Sequence, residues 1–136
     1  MKTMFTAALL CAAFAGQAQT ETPNHTLTVN IGQFKAEGGK VFVALLDPSE
    51  KPVQRLAVPL KNNTTQVQFH NVAPGTYAIR FFHDENNNQV LDKGIFGVPK
   101  EGWGCSNDVK ATFGPPDFKN MLFSFSSDKT IALRVN

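Results

Sequence analysis

Oxygen-bearing side chains crowd the segment 83–94, HDENNNQVLDKG, which directly follows an apolar run. Calcium loops collect several oxygen ligands from one short turning segment, at alternate residues. Four side chains and one backbone carbonyl match loop positions one, three, five, seven and nine: Asp84, Asn86, Asn88, Val90 (through its carbonyl) and Asp92. The spacing therefore predicts a site for calcium or a similar hard cation.

Two residues depart from the helix-loop-helix version of such a loop. Gln89 stands where Gly is usual, and Ile95 stands where a bidentate Glu is usual. Only Asp84 and Asp92 bring formal charge, so we expect a dissociation constant of roughly 10⁻⁴ to 10⁻³ M. The alternative is an ordinary turn, because Asn and Asp tolerate positive φ and bond their own backbone. Both interpretations stay open at this point.

Three residues near this loop are candidates for contact with a ligand: His83, Glu101 and Trp103. His83 shares the parity of Ile79 and Phe81, so we expect it at the core side of its strand, where it bonds the backbone, orients Asp84 or joins a metal site. Trp103 lies between two glycines and is predicted to be an exposed contact. Three nearby rings are predicted to fill the end of the fold instead: Phe96, Phe113 and Phe118.

Catalytic alternatives have less support. Cys105 paired with His70 or His83 would resemble a nucleophile and its base, but no local signature joins them, and a small buried cysteine is the simpler interpretation. Acids such as Asp108 and Asp117 would support glycoside hydrolysis only if two carboxyls lay about 5 to 10 Å apart. We expect no catalytic residues and a protein that is not an enzyme.

Short strands must position these groups. Leu27, Val29 and Ile31 alternate with polar residues, which predicts a strand with one buried face. KVFVALLD (40–47) is apolar on both parities apart from its ends, which predicts a central strand covered on both faces. A Pro-Gly turn at Pro74 separates two further strands, and alternation returns near the C-terminus. The pattern predicts an all-β fold: one antiparallel β-sandwich of about seven strands, immunoglobulin-like or transthyretin-like, with a packed loop excursion over residues 84–120.

The first 18 residues have the pattern of a secretory signal peptide: one cation, an apolar run and small residues ending at Ala18. We expect residues 19–136 to form a single domain, periplasmic or extracellular, without a transmembrane segment. Cleavage removes Lys2 and no acid, so the formal net charge falls from +2 to +1. That balance gives no electrostatic reason to expect nucleic acid or an anionic membrane as a partner. We expect a monomer.

The run FFHDENNNQVLDKGIFGVPKEGWGCSND, continued by ATFGPPDF, resembles an uncharacterised family of small secreted bacterial proteins, the domain of unknown function two-one-four-one. The family loop typically reads His-Asp-Glu-Asn-Asn-Asn-Gly, so Gln89 is a departure, as is Cys105 at a position that is usually aromatic. The resemblance implies a fold and a compartment but no activity. The segment NVAPGTY is also similar to the strand-turn-strand of transthyretin-like and carboxypeptidase-regulatory-like sandwiches, which are mostly non-catalytic.

Taken together, these features favour a non-enzymatic exported binding module. Its ligand would be a glycan, a peptide or an envelope protein, and a weak calcium site would order its loop. One alternative is a carboxylate-dependent hydrolase acting on an envelope or extracellular glycan. Another is a structural envelope protein that assembles through its sheet edges.

Overall fold

Strands make up nearly all the regular structure of the computed structural model, which describes residues 22–136. The signal peptide predicted for residues 1–18 lies outside the described residues. In chain order, residues 22–136 form β1 (His25–Gly32), β2 (Lys40–Leu46), β3 (Pro52–Pro59), β4 (Thr64–Val72), β5 (Gly75–Asp84), β6 (Trp103–Cys105), β7 (Phe123–Phe125) and β8 (Lys129–Arg134). A short helix, α1 (Phe118–Met121), and two 3-10 turns (Ile95–Gly97 and Ser106–Asp108) complete the regular elements of this range.

Two sheets divide the strands. The smaller sheet has the order β4-β1-β8, and the larger has the order β3-β2-β5, with β6 and β7 sharing the far edge of β5. The all-β sandwich is therefore confirmed, with eight strands among the described residues instead of about seven. One pair departs from the antiparallel expectation: β1 and β8 run parallel, in register from Leu27 opposite Lys129 to Gly32 opposite Arg134.

The alternating side chains of both sheets form one hydrophobic core. Leu27, Val29 and Ile31 of β1 are at most 1% exposed, as the period-two pattern predicts. The other large contributors from the strands are Val41, Val43, Leu45, Val67, Phe69, Ile79, Phe81 and Phe125. β2 is a central strand between β3 and β5, as its apolar residues on both parities predict.

The predicted Pro-Gly turn joins the two sheets, since β4 belongs to the smaller sheet and β5 to the larger. The Tyr77 hydroxyl donates to the Ala73 carbonyl oxygen (2.7 Å), which ties the turn to the start of β5. Because β5 leaves this turn on the larger sheet, it delivers the acidic loop to one end of that sheet.

The excursion over residues 84–120 is less irregular than the sequence indicates, because β6 lies within it and pairs with β5. Ser106, 1% exposed, anchors the excursion from inside: its hydroxyl donates to the Met121 carbonyl (2.5 Å) and accepts from the Ile79 amide (2.9 Å). Leu46, Ala78, Cys105 and Met121 form a second, smaller buried cluster. The excursion therefore covers one end of the outer face of the larger sheet and leaves the other end accessible.

Candidate binding cleft and acidic loop

Asp84 ends β5 and organises the loop that follows. Its side chain is 1% exposed, and its two oxygens accept from the backbone amides of Asn88 (3.0 Å) and Gln89 (2.8 Å). Buried polar groups require such partners. The carboxylate thus holds the loop in a closed turn around itself.

Asn86, Asn88 and Asp92 form a second network on the surface of this turn. The side-chain amides of Asn86 and Asn88 donate to the two oxygens of Asp92, at 2.5 and 3.0 Å. The side-chain oxygens (Oδ1) of Asn86 and Asn88 accept from the backbone amides two residues ahead, at Asn88 (3.2 Å) and Val90 (3.0 Å). Asn86, Asn88 and Asp92 therefore lie together, with the amide nitrogens of both asparagines facing Asp92.

Gln89 occupies the backbone conformation for which calcium loops use Gly. Its φ is +64°, and Asn87 also has a positive φ of +58°. Non-glycine residues adopt this left-handed region at some energetic cost. Gln89 thus adopts the conformation for which Gly is usual at this position, and its side chain is exposed.

Glu101 closes the loop from the other side of the excursion. It is 7% exposed, and its two oxygens accept from the backbone amides of Glu85 and Asp92, each at 3.0 Å. The Lys100 amide donates to the Asp92 carbonyl (2.8 Å), which adds a third tie. Glu101 therefore fixes the two ends of the loop and offers little surface to a ligand.

His83 points into the core, as its parity predicts, and is 1% exposed. Its Nε2 lies 2.6 Å from the Gly38 carbonyl oxygen, so this nitrogen carries the proton and donates. The ring meets Phe34 edge-on, with centroids 5.2 Å apart. Of the three predicted ligand contacts, Trp103 is the one that lies on an open surface.

Trp103 stands at the end of a row of side chains that crosses four strands. Strand register places Ala57, Phe42, Phe82 and Trp103 opposite one another on β3, β2, β5 and β6. Neighbouring strands lie about 4.8 Å apart, so the row spans about 14 Å. We call these four residues the aromatic row. It lies on the outer face of the larger sheet, because its members alternate with the core residues.

The next row along the same face carries charge. Arg55, Ala44, Arg80 and Cys105 lie opposite one another on the same four strands. Arg80 pairs with Glu50 (3.1 Å) and lies over the Phe118 ring, 5.0 Å from its centroid. Arg55 is exposed. The two arginines flank Ala44 and border the aromatic row.

A cleft of about 800 Å³ lies over these two rows. The acidic loop contributes Gln89 and Leu91 to its lining, and the excursion contributes Pro115 and Pro116. Four residues of the cleft were not predicted from the sequence: Phe42, Phe82, Arg55 and Arg80. The apolar residues on both parities of β2 did indicate that its outer face is covered. The structure therefore joins the predicted loop and Trp103 to a cleft whose floor comes from strands.

Two phenylalanines predicted to fill the end of the fold do not do so. Phe96 is 99% exposed and Phe113 is 103% exposed, whereas Phe118 is half-buried beneath Arg80. The prediction was wrong for both. Phe96 lies in the tight turn Ile95–Gly97, whose positive φ at Phe96 presents the ring to solvent, and Phe113 lies in a separate exposed segment, residues 110–115. Phe118 instead belongs to α1, which packs on the second cluster.

Cys105 and His83 lie on opposite faces of the larger sheet, and His70 lies on β4 in the other sheet. The fold does not bring either pair together. Burial raises the pKa of the Cys105 thiol, with a smaller opposing effect from the hydrogen bond that it donates to the Val109 carbonyl (3.5 Å). Such a thiol is a poor nucleophile.

Within residues 22–136, no group of three or more His, Cys, Asp or Glu side chains is placed to hold a metal ion. A cation at the acidic loop would depend on two carboxylates together with amide and backbone oxygens. The helices of the same range include none that is long and apolar enough to cross a membrane.

Comparison with known proteins agrees with the sequence resemblance. A family model described as an uncharacterized protein conserved in bacteria (DUF2141) matches residues 29–132, from β1 to β8. No curated protein and no solved structure matches the chain. The family match covers most of the sequence, including the cleft and the acidic loop. The chain therefore belongs to the DUF2141 family.

Proposed function

We propose that the protein is a non-enzymatic binding module whose ligand lies in the cleft on the outer face of the larger sheet. The observation that carries the proposal is the aromatic row, which forms a preformed apolar floor in a cleft of about 800 Å³. Clefts of roughly 300 to 1,000 Å³ with apolar floors and few polar groups are typical small-molecule sites. The signal-peptide pattern of residues 1–18 supports the periplasm or the cell exterior as its compartment.

The chemistry of the two rows selects the kind of ligand. Phe42, Phe82 and Trp103 offer flat apolar surface to a ring, and Arg55 offers an exposed guanidinium to an anionic group. A ligand that combines a ring with a carboxylate or sulfonate would satisfy both. An acidic glycan and a peptide with aromatic and acidic side chains share this chemistry.

Binding is favoured over hydrolysis because the buried carboxylates are already engaged. Asp84 and Glu101 each accept two backbone amide hydrogens, and neither lines the cleft.

A second cleft of about 790 Å³ is bordered by Asn30, Lys61 and Arg134 but contains no aromatic residue. The aromatic row therefore distinguishes the candidate site from this second cleft.

Trp103 gives a direct test, since it is the single tryptophan of the chain and lines the cleft. Its fluorescence should change on titration with 8-anilinonaphthalene-1-sulfonate, an oligogalacturonate or a short acidic peptide containing Phe, and the responsive probe identifies the ligand class. Arg55→Gln should weaken binding about three- to tenfold, the usual range for one charged hydrogen bond at a partly exposed site. Arg134→Gln is the matched control, because it makes the same change at the other cleft.

Unchanged Trp103 fluorescence with all three probes would contradict the proposal. Equal weakening by Arg55→Gln and Arg134→Gln would also contradict it, because the effect would then follow net charge and not the cleft. If a probe changes Trp103 fluorescence and binds Arg55→Gln as tightly as the parent, the cleft remains the binding site. The ligand then needs no anionic group.

A second candidate function, calcium binding at the acidic loop, is favoured by the conformation of Gln89. The left-handed backbone at Asn87 and Gln89 and the hydrogen bonds from residues 88 and 89 to Asp84 give the loop the closed form that such sites need. Asp84, Asp92, Asn86, Asn88 and the Val90 carbonyl would hold the ion, with both amides turned so that oxygen faces it. Since Gln89 and Leu91 line the cleft, an ion here would fix one of its walls.

Calcium binding is tested by thermal melts in chelator and in calcium up to millimolar concentrations. A ligand that binds the native state alone raises the melting temperature once its concentration exceeds the dissociation constant. The rise should be present in the parent and in Glu37→Gln, an exposed acid outside residues 83–94, and absent in Asp92→Asn. Superimposable melts in chelator and calcium would show that the loop is a structural turn, without affecting the cleft proposal.

A further inference from the structure

A tight turn at residues 93–100, here named the apolar turn, presents large hydrophobic side chains to solvent. Ile95 is 81% exposed, Phe96 is 99% exposed and Val98 is 62% exposed. They account for half of the exposed large hydrophobics found among residues 22–136. Contiguous exposed apolar side chains of this kind mark interaction surfaces.

The backbone of the apolar turn holds these side chains outward. The Gly94 amide donates to the Val98 carbonyl (2.7 Å), the Gly97 amide donates to the Gly94 carbonyl (3.2 Å), and Lys93 pairs with Pro99 in a β-bridge. Phe96 has φ +65° and ψ +18°, a conformation that a bulky aromatic residue rarely adopts. Since closure of the turn maintains this strained geometry, the exposure of Phe96 is built into the fold.

Positive charge flanks the apolar tip. Lys93 and Lys100 are both exposed. The Lys100 side chain runs along the turn past Gly94, because its Cε lies 3.3 Å from the place that a Cβ at Gly94 would take. The adjoining acids do not neutralise these lysines through ion pairs: Asp92 is engaged by asparagine amides, and Glu101 by backbone amides. The turn thus combines an apolar tip with two cations at its base.

This arrangement matches the interface of an anionic bilayer. Transfer of apolar side chains into the boundary between headgroups and acyl chains is favourable, and lysines near the surface are attracted to anionic lipids. We propose that the apolar turn inserts into the surface of an anionic phospholipid bilayer, with Phe96 and Ile95 in the interface and Lys93 and Lys100 against the headgroups. The proposal is independent of the ligand in the cleft, because it uses none of the cleft residues.

Co-sedimentation with vesicles of phosphatidylcholine, alone or with phosphatidylglycerol, tests the proposal. The parent should bind the mixed vesicles more strongly than the neutral ones. Phe96→Ser should lower the partition coefficient on mixed vesicles about tenfold, as expected for loss of one inserted aromatic side chain. Lys93→Gln with Lys100→Gln should lower it on mixed vesicles only. Phe113→Ser is the matched control, because Phe113 is equally exposed but lies outside the turn.

A second measurement follows insertion directly. Phe96→Trp should show a blue-shifted emission on mixed vesicles beyond that of the parent, whose single tryptophan is Trp103. Absence of vesicle binding, or equal losses for Phe96→Ser and Phe113→Ser, would overturn the proposal. A dimer in light scattering that Phe96→Ser abolishes, without vesicle binding by the parent, would overturn it by showing that the turn meets a second copy of the chain.

Discussion

Phe42 on β2 and Phe82 on β5 stack with nearly parallel planes on the outer side of the larger sheet, with ring centroids 5.2 Å apart and planes inclined by 9°. Cross-strand aromatic pairs of this kind stabilise a sheet and lose little freedom when a ligand arrives. Each ring is only half-buried. The pair therefore supports the sheet and keeps surface available in the cleft.

Phe42→Ala should affect both roles. We expect the free energy of unfolding to fall by about 1–2 kcal/mol through loss of the half-buried ring and its stacking partner. We also expect binding of the responsive probe to weaken about tenfold, measured by Trp103 fluorescence alongside urea unfolding. Phe113→Ala removes a fully exposed ring and should change neither. Unchanged affinity in Phe42→Ala would remove the aromatic row from the binding site.

Gly39 is required by the loop connection from Asp84. A Cβ on Gly39 would collide with the Asp84 carbonyl oxygen, whereas a Cβ on Gly38 meets nothing within 4 Å. Both glycines have positive φ, +65° and +79°, so both Ala variants share the conformational penalty of about 1 kcal/mol. The free energy of unfolding in urea should therefore fall by about 2 kcal/mol or more in Gly39→Ala beyond its fall in Gly38→Ala. Equal losses would show that the backbone contact with Asp84 is absent.

Glu101→Gln tests how the acidic loop is closed. Replacing one oxygen by an amide leaves the backbone amide of Glu85 or Asp92 without its acceptor, which should cost about 1–3 kcal/mol. Hydrogen exchange at these two amides should accelerate relative to the core amides of β5. Glu37→Gln, at an exposed acid, should leave both stability and exchange unchanged. Retained protection at Glu85 and Asp92 would contradict the role given to Glu101.

Cys105 gives a prediction for alkaline pH. Because burial raises the pKa of its thiol in the folded state above the ordinary value of 9.0, the unfolded chain releases its proton first as pH rises. Below that value the ionisation of the thiol does not change the free energy of unfolding, and above it the free energy of unfolding falls as pH rises. The fall should be steeper in the parent than in Cys105→Ala, since every other titrating group is common to both. Parallel pH profiles would contradict the raised pKa.

Several features of the fold followed from residue pattern because side chains on a strand alternate. The buried face of β1, the central place of β2 and the core position of His83 depend on parity within one segment. The family resemblance, carried by the run from Phe81 onward, was confirmed by the match over residues 29–132.

Other features depend on contacts between distant segments, which parity does not determine. The parallel pairing of β1 with β8 and the alignment of Phe42 with Phe82 and Trp103 are set by register between strands. The closure of the loop by Glu101 has no signal in the sequence, because its partners, the amides of Glu85 and Asp92, lie 16 and 9 residues away. The positive φ of Phe96 also had no signal, because Phe is among the residues that rarely adopt it.

Binding of ligand along the aromatic row is tested most directly by a nuclear magnetic resonance titration of the labelled protein with the probe that changes Trp103 fluorescence. The largest shifts should fall on the backbone amides of Ala57, Phe42 and Phe82 and on the amide and indole of Trp103, with β1 and β4 unaffected. Shifts concentrated on the smaller sheet, or confined to residues 93–100, would contradict it.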